Sequence, residues 1–586
     1  MTSVSEMQPS VSRERVAQAY LASSIGDCLG WPFEGHSKDF PSVEKWEGDF
    51  FAWTKRSGGR FQPYLEHIGA GEYSDDTQLI LAVTRSRLRS VDWWNDFSQC
   101  ELPFWTFYER GGGGATKRAA TSWLTSTAPW KSSRADAIRK YLSAGGNGVA
   151  MRVLPHCAVG ANRSDFLGAA YDIMTDGVIT HGHPRALLGA LAYGFALWYV
   201  LKLNRTLHFG ELIQATIENV NSWGTLLSIE ARWEGWMDAI NASEDYEKIW
   251  HSTVSEMLTL LGKINEGIQA GALAMDDDVL DSIGARNIKT NGAGTVSAAT
   301  AIYFASRYAA SPTEGLRRAA SAIGSDTDTN ASMTGSLLGA LSGSGWFADY
   351  APYLQDRQYI ETIARSLADC KIGNFGHWSP VRRADINRLT TQLKAKSCSG
   401  ISTLPNGMTL QDITEIKPHV ENSKVKFASQ YKLLTSEGIS LFYRSPPEKF
   451  EKVSTENRIE QEKLEFIAEI KADDVADEFI GLSLVVSNLE NSLVFYKDML
   501  GLSVSGKTSK TVRFGNYLAF KEVADFGYGE RFITIFLQVS SIVLLHDRLM
   551  GFKYPYLSAI VDKSQRKSFT CSDPDGYMIE VVESKK

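Results

Sequence analysis

GEYSDDTQLI (residues 71–80) and IGSDTDTNASMTGSLLGALSG (residues 323–343) decide how this 586-residue chain folds. In the first, Ser74 suits an N-cap, Asp75 and Asp76 fall in a first helical turn, and Leu79, Ile80 and Val83 begin an apolar face. The helix dipole favours acids there by about 0.3–1 kcal/mol each, which alone would account for the pair. The second stretch repeats the chemistry. Asp326, Asp328 and Thr329 precede a helix in which Ala331, Gly335, Gly339 and Gly343 recur every four residues, a smooth stripe along which another helix can come close. If the two acidic helix starts converge, their carboxylates repel unless a cation lies between them. Hard divalent ions such as magnesium take oxygen ligands, and two of them can share a bridging aspartate.

Working outward, residues 13 to about 345 read as helix after helix with glycine-rich loops and no run of alternating strands. RERVAQAYLASSIGDCLG places Ala17, Tyr20, Leu21, Ser24, Ile25, Cys28 and Leu29 on one face. The uncharged run from Ala186 to Leu201 falls short of the roughly 20 residues of a membrane span and predicts a buried helix at the centre of the core. With 43% hydrophobic and 22% charged residues and a net charge of −7, the chain has the balance of a soluble protein and no basic excess for nucleic acid. Six scattered cysteines without a C-x-x-C pair read as reduced, mostly buried thiols. The polar N-terminus lacks the apolar core of a signal peptide, so a cytoplasmic protein with a loose segment 1–12 is expected. AMDDDVLDS (274–282) reads as a solvated helix cap.

At residues 26–35 (GDCLGWPFEG), 71–78 (GEYSDDTQ), 146–155 (GNGVAMRVLP), 180–184 (THGHP) and 324–340 (GSDTDTNASMTGSLLGA) the chain resembles the ADP-ribosylglycohydrolase family, which includes the dinitrogenase reductase-activating glycohydrolases. The resemblance implies a compact all-α orthogonal bundle with a binuclear magnesium centre. Its ligand set falls on Ser74, Asp75, Asp76, Asp326, Asp328 and Thr329. Ser74 stands where many members have threonine, which keeps the hydroxyl, and Ser325 replaces a common glycine. Asp75 and Asp76 are the expected catalytic acid or base, with Asp326 as the bridging ligand. Substrate contacts are expected from Gly146, Asn147, Gly148 and Met151 around a diphosphate, from His181 near the ribose, and from Glu34 closing over the metals. Asp27 would fix the loop that follows it. Gly112 to Gly114 with Thr116 read either as the opposite wall of the cleft or as a surface loop.

The implied activity is magnesium-dependent removal of ADP-ribose from a modified protein, most readily ADP-ribosylarginine. The alternatives are a serine, nucleic-acid or O-acetyl linkage, or a non-catalytic ADP-ribose-binding protein. The domain expectation is 13–375 catalytic, 376–475 linker and unassigned, and 476–586 an α+β domain. From Phe479 the pattern turns to strands, and FIGLSLVVSNLENSLVFYKDMLGLSV with SDPDGYMIEVVE resembles the vicinal oxygen chelate superfamily of glyoxalases and bleomycin-resistance proteins. Glu580 sits at a ligand position, whereas the usual histidine positions fall on Gly481 and Tyr556, so a dismantled metal site is expected. The second half reads as short, lacking a helix between YLSAIVD and SFTCSDPDGY.

Overall fold

Helix α1 (Arg13–Gly30) and the helix Thr327–Ser342 meet backbone to backbone, because side chains are missing where they cross. A β-carbon on Gly335 would lie 2.1 Å from the Ala22 carbonyl oxygen, and one on Gly30 would lie 2.2 Å from that of Thr327. The Thr327 hydroxyl also donates to the Gly30 carbonyl at 2.8 Å. The small-residue stripe thus pins the second acidic helix start against the end of α1. The computed structural model describes residues 12–34, 46–57, 64–242, 245–370, 377–394, 401–416 and 428–445, and separate strands and helices between 482 and 583. The expected loose segment 1–12 lies, but for Ser12, outside the described residues.

Around α1 pack α2 (Asp75–Arg89) and the helices Pro312–Ala320 and Arg357–Ala368, while Pro184–Lys202 and Gly294–Arg307 pack against each other and against Thr327–Ser342. Pro184–Lys202 is long and apolar enough to cross a membrane, yet most of it is buried inside this helical body, where Leu188, Leu191 and Leu197 are fully covered. Asp276, in the stretch that reads as a solvated cap, instead accepts from Tyr303 at 2.8 Å and Tyr308 at 2.6 Å and pairs with Arg307, so it ties a short helix to the core.

The helical expectation for 13–345 needs one correction. Strands β1 (Trp53–Ser57) and β2 (Tyr64–Ile68) form an antiparallel hairpin with Trp53 opposite Ile68. Five residues each are too few for a pattern, and the hairpin gains its support from distant sequence. That support comes from residues 377–445, within the stretch expected as linker. A helix, Arg383–Lys394, is followed by the antiparallel sheet β3 (Leu410–Ile416), β4 (Ser429–Thr435) and β5 (Ser440–Ser445). Gln430 exchanges hydrogen bonds with both backbone groups of His67, and the Ala428 amide donates to the Leu65 carbonyl at 2.8 Å. Tyr443 stacks on Phe107 at 4.7 Å, and Arg110 lies 4.2 Å over the Phe442 ring.

Residues 1–451 form one compact unit and 452–586 another. The second is α+β, with strands β6 (Leu482–Val486), β7 (Val504–Lys507), β8 (Thr511–Phe514) and β9 (Leu518–Glu522), then β10 (Thr534–Val539), β11 (Val561–Lys563), β12 (Arg566–Ser572) and β13 (Met578–Glu583). Its two four-stranded sheets run β6-β9-β8-β7 and β10-β13-β12-β11, so both halves follow one strand–helix–three-strand plan with the first strand parallel to the fourth. The second half is therefore not short. Its helix, Ile542–Gly551, precedes YLSAIVD instead of following it, and its apolar run IVLL is too brief for periodicity to separate helix from strand. Glu580 lies on β13, opposite Phe536 and Thr570, while Gly481 and Tyr556 lie outside the described residues.

Candidate active site

Ser74 caps α2, its Oγ accepting the Asp76 amide at 3.3 Å. The turn is held from below by Asp27 on α1, which accepts the Ser74 amide at 3.0 Å, the Thr77 amide at 3.0 Å and the Thr77 hydroxyl at 2.7 Å. Asp27 thus organises the helix start that carries Asp75 and Asp76, a wider task than fixing its own loop. The second acidic start reaches the first directly: the Thr329 hydroxyl donates to Asp76 Oδ2 at 3.2 Å, across 253 residues of sequence. Asp328 accepts the Thr329 amide at 2.8 Å, and Asn147 donates to Asp326 Oδ2 at 2.9 Å and to Ser297 at 3.0 Å.

These groups line one cleft of about 220 Å³, together with Glu34, Gly111, Thr116, Gly146, Gly148, Met151 and His181. Ser74 lies behind the cleft surface, fully buried, and of the stretch Gly112 to Gly114 with Thr116 all but Gly112 line the opposite wall. Carboxylate oxygens of Glu34, Asp326 and Asp328 come within 4.8 Å of one another, a spacing at which they could share one ion. Among the described residues no lysine or arginine forms an ion pair with Asp75, Asp76, Asp326 or Asp328.

Such crowding has an electrostatic signature. Burial first, then Glu109 and Glu34, push the Asp75 carboxyl well above the carboxylate range, and Lys55 opposes this. Burial and the neighbouring acids do the same to Asp76 and Asp328. The Glu34 carboxyl, turned into the cleft from an otherwise exposed residue, is raised to about 7 by burial and by Asp326. Asp76 Oδ1 is buried without a hydrogen-bond partner, a cost of about 1–3 kcal/mol that a cation would remove. The donor set of carboxylates and hydroxyls is that of a hard ion.

On the neighbouring wall, Gly148 faces His181 and Thr116: a β-carbon on it would lie 3.0 Å from the His181 ring and 3.0 Å from the Thr116 hydroxyl. The loop is held by Gly292, whose carbonyl accepts the Asn147 amide at 3.0 Å. Burial, then Arg152 and Arg118, lower the His181 pKa to about 3, so the imidazole is neutral and its Nδ1 shares a proton with Thr180 at 2.8 Å. Sequence reasoning missed Gly292, although NGAG before a helix repeats the style of the first glycine loop. It also missed Lys55 and Arg444, which carry no motif, and passed over Trp31 inside GDCLGWPFEG.

A helical body brings two acidic helix starts, a glycine loop and a neutral histidine around one small cleft, a donor set that suits a hard cation. The model of the ADP-ribosylglycohydrolase family matches residues 8–374, more than half of the chain, and the chain belongs to that family. It is a glycosidic-bond hydrolase by that membership, acting on ADP-ribose linkages. Among solved structures, a chain described as an ADP-ribosylglycohydrolase-related protein complex is 20% identical over 61% of this chain and 99% of its own, with a TM-score of 0.38. The C-terminal part is similar to a lactoylglutathione lyase from Agrobacterium tumefaciens (17% identity, 19% of this chain, 96% of that chain, TM-score 0.16). It is also similar to a glyoxalase/bleomycin resistance protein/dioxygenase from Nocardioides (21% identity, 21% of this chain, 92% of that chain, TM-score 0.17). No curated protein matches the chain.

Proposed function

We propose that the protein is a magnesium-dependent hydrolase that releases ADP-ribose from a modified protein. The observation that carries this reading is the meeting of the two acidic helix starts through Thr329 and Asp76, with Asp76 Oδ1 left without a partner. Ser74, Asp75, Asp76, Asp326, Asp328 and Thr329 would hold two magnesium ions, which supply charge for the ribose hydroxyls and acidify a water. The glycine loop Gly146–Gly148 offers close backbone approach to the diphosphate. Met151, whose amide donates to the Asn147 carbonyl at 3.2 Å, lines the cleft beside that loop, and neutral His181 offers its ring to the ribose without repelling a cation. Asn147 holds Asp326 in place. Asp75 stands at the cleft surface, only 5% exposed, and its raised proton affinity suits it to exchange a proton with the leaving group or the water as the oxocarbenium-like state forms.

Arginine is the leaving group that the family resemblance favours. The core reading is tested by incubating the full chain with ADP-ribosylated protein and measuring free ADP-ribose with magnesium and then with chelator. Release that chelator abolishes supports it. ADP-ribose binding without release from any linkage would instead mark a binding protein.

A further inference from the structure

One wall of the cleft is built from four consecutive glycines, Gly111 to Gly114, followed by Thr116. Such a run has no side chains with which to hold its own shape, and glycine loses more backbone freedom on ordering than any other residue. Its order therefore comes from what grips the turn at residues 108–112, and two distant parts of the chain do so. On one side α2 holds it, one helical turn beyond Asp75: Gln78 donates to the Tyr108 carbonyl at 3.1 Å and accepts the Arg110 amide at 3.3 Å.

On the other side β5 holds it. Arg444 donates to the Glu109 carbonyl and to one oxygen of the Glu109 carboxylate, and the other oxygen accepts the Gly112 amide at 3.1 Å. Gly112 is clasped tightly, since a β-carbon there would lie 2.4 Å from the Trp105 ring and 3.0 Å from Glu109 Oε2. It sits behind the wall, while Gly111, Gly113, Gly114 and Thr116 face the cleft. Two residues before Arg444 on β5, the Phe442 ring lies under the guanidinium of Arg110, which pairs with Glu72 at 2.7 Å. The Arg444 fork has a second arm: its Nε pairs with Glu66 of the β1–β2 hairpin at 3.2 Å. One planar guanidinium can serve a carbonyl and two carboxylates at once, which a lysine cannot.

β5 lies beyond residues 8–374, the span that the family model matches, and Arg444 is not among the residues lining the cleft. We propose that Arg444 is a positioning residue for the cleft: through Glu109 it fixes the four-glycine wall, so the sheet β3-β4-β5 is part of this chain's ADP-ribose-binding unit. This rests on the reading that the cleft takes ADP-ribose. Held in this way, the wall does not have to be ordered when the ligand arrives, and affinity gains by that saving.

The test measures ADP-ribose binding by calorimetry, with magnesium present, on the full chain and on Arg444→Met, Arg444→Lys, Glu109→Gln, Glu66→Gln and the double variant Arg444→Met/Glu109→Gln. Arg444→Met should weaken ADP-ribose about tenfold, while magnesium alone binds no more weakly, because a positive charge has left its neighbourhood. Arg444→Lys should recover part of the loss. Glu66→Gln releases only the Nε arm, so it should lower the melting temperature and change ADP-ribose affinity by about twofold or less. Adding Arg444→Met to Glu109→Gln should cost little further, as expected of two residues acting through one contact. On ADP-ribosylated protein, KM should rise in Arg444→Met more than kcat falls. Unchanged affinity in the folded Arg444 variants, losses that add in the double variant, or an equal loss in Glu66→Gln would overturn the role. Should Arg444→Met not fold, Arg444→Lys and its double with Glu109→Gln decide in its place. A wild type that binds ADP-ribose but releases none would overturn the hydrolase reading and leave this one to the binding data, and a wild type that binds none would overturn both.

Discussion

Two sets of buried carboxylates sit within the same helical body, and their surroundings differ in one respect. Glu101 meets Arg85 at 2.6 Å and also Arg89, Asp176 meets Arg152 at 3.1 Å, and Asp172 meets Arg87 at 3.0 Å and Arg232 at 2.7 Å. Among the described residues, buried Asp75, Asp76 and Asp328, with the half-buried Asp326 beside them, meet no arginine or lysine in an ion pair. Burial alone would raise Asp172, Asp176, Asp75, Asp76 and Asp328. In Asp172 it is overcome by Arg87 and in Asp176 by Arg152, so both lie below the ordinary carboxylate range. In Asp75, Asp76 and Asp328 the nearest charges add to burial. Equal burial with opposite compensation separates carboxylates that hold the fold together from those that await a ligand.

The largest way to break this comparison is to neutralise one acid of the uncompensated set. Asp328→Asn should lower ADP-ribose release by more than about a hundredfold, since losing even an outer partner of a metal ligand costs 10–100-fold. The same variant should melt no lower than wild type without magnesium, because it removes like-charge repulsion. A large fall in melting temperature would place Asp328 with the structural set. Conversely, Asp176→Ala should destabilise the fold by about 3–5 kcal/mol in denaturant unfolding, by stranding Arg152 in the core.

The sets should also respond oppositely to acid. Asp172 and Asp176 have folded pKa values below their unfolded ones, so their contribution is present above about pH 4 and is lost as pH falls through the folded values. Asp75, Asp76 and Asp328 have raised values. The folded state therefore holds extra protons, and stability without metal falls as pH rises above about 4. Magnesium at about 100 times its dissociation constant should restore about 2.7 kcal/mol at neutral pH, and melting curves with and without it would show whether the difference closes. The smallest effect is expected from Asn147→Ala, which frees Asp326 and should weaken magnesium binding about tenfold with little change in melting temperature.

Much of the helical body was legible because its signals are local. Ser74 through Ile80 carry a cap, a first turn and an apolar face within seven residues, and the stripe Gly335–Gly339 announces a close helix crossing. The hairpin Trp53–Ile68 was hidden because its partners, Ala428 and Gln430, lie far along the chain. The segment 401–445 reads as a broken linker because its short strands bury against β2, Phe107 and Arg110, and only the assembled surface explains Tyr443 and Arg444. At the site, residue types that carry a motif were found, whereas Lys55 and Arg444 acquire meaning only once distant segments assemble around Asp75 and Glu109.

The crossing of α1 with the helix Thr327–Ser342 also sets a timetable for synthesis. The Gly30 carbonyl waits for Thr327, 297 residues later, before its hydrogen bond can form. At about 5–20 residues per second, the first helix leaves the ribosome roughly 15–60 seconds before its partner. During that interval Tyr20 can already meet Thr84 on α2, but the face of α1 that Gly335 and Gly339 will cover stays open, so the order in which this protein is made leaves the foundation of its cleft to chaperones until the last acidic helix arrives.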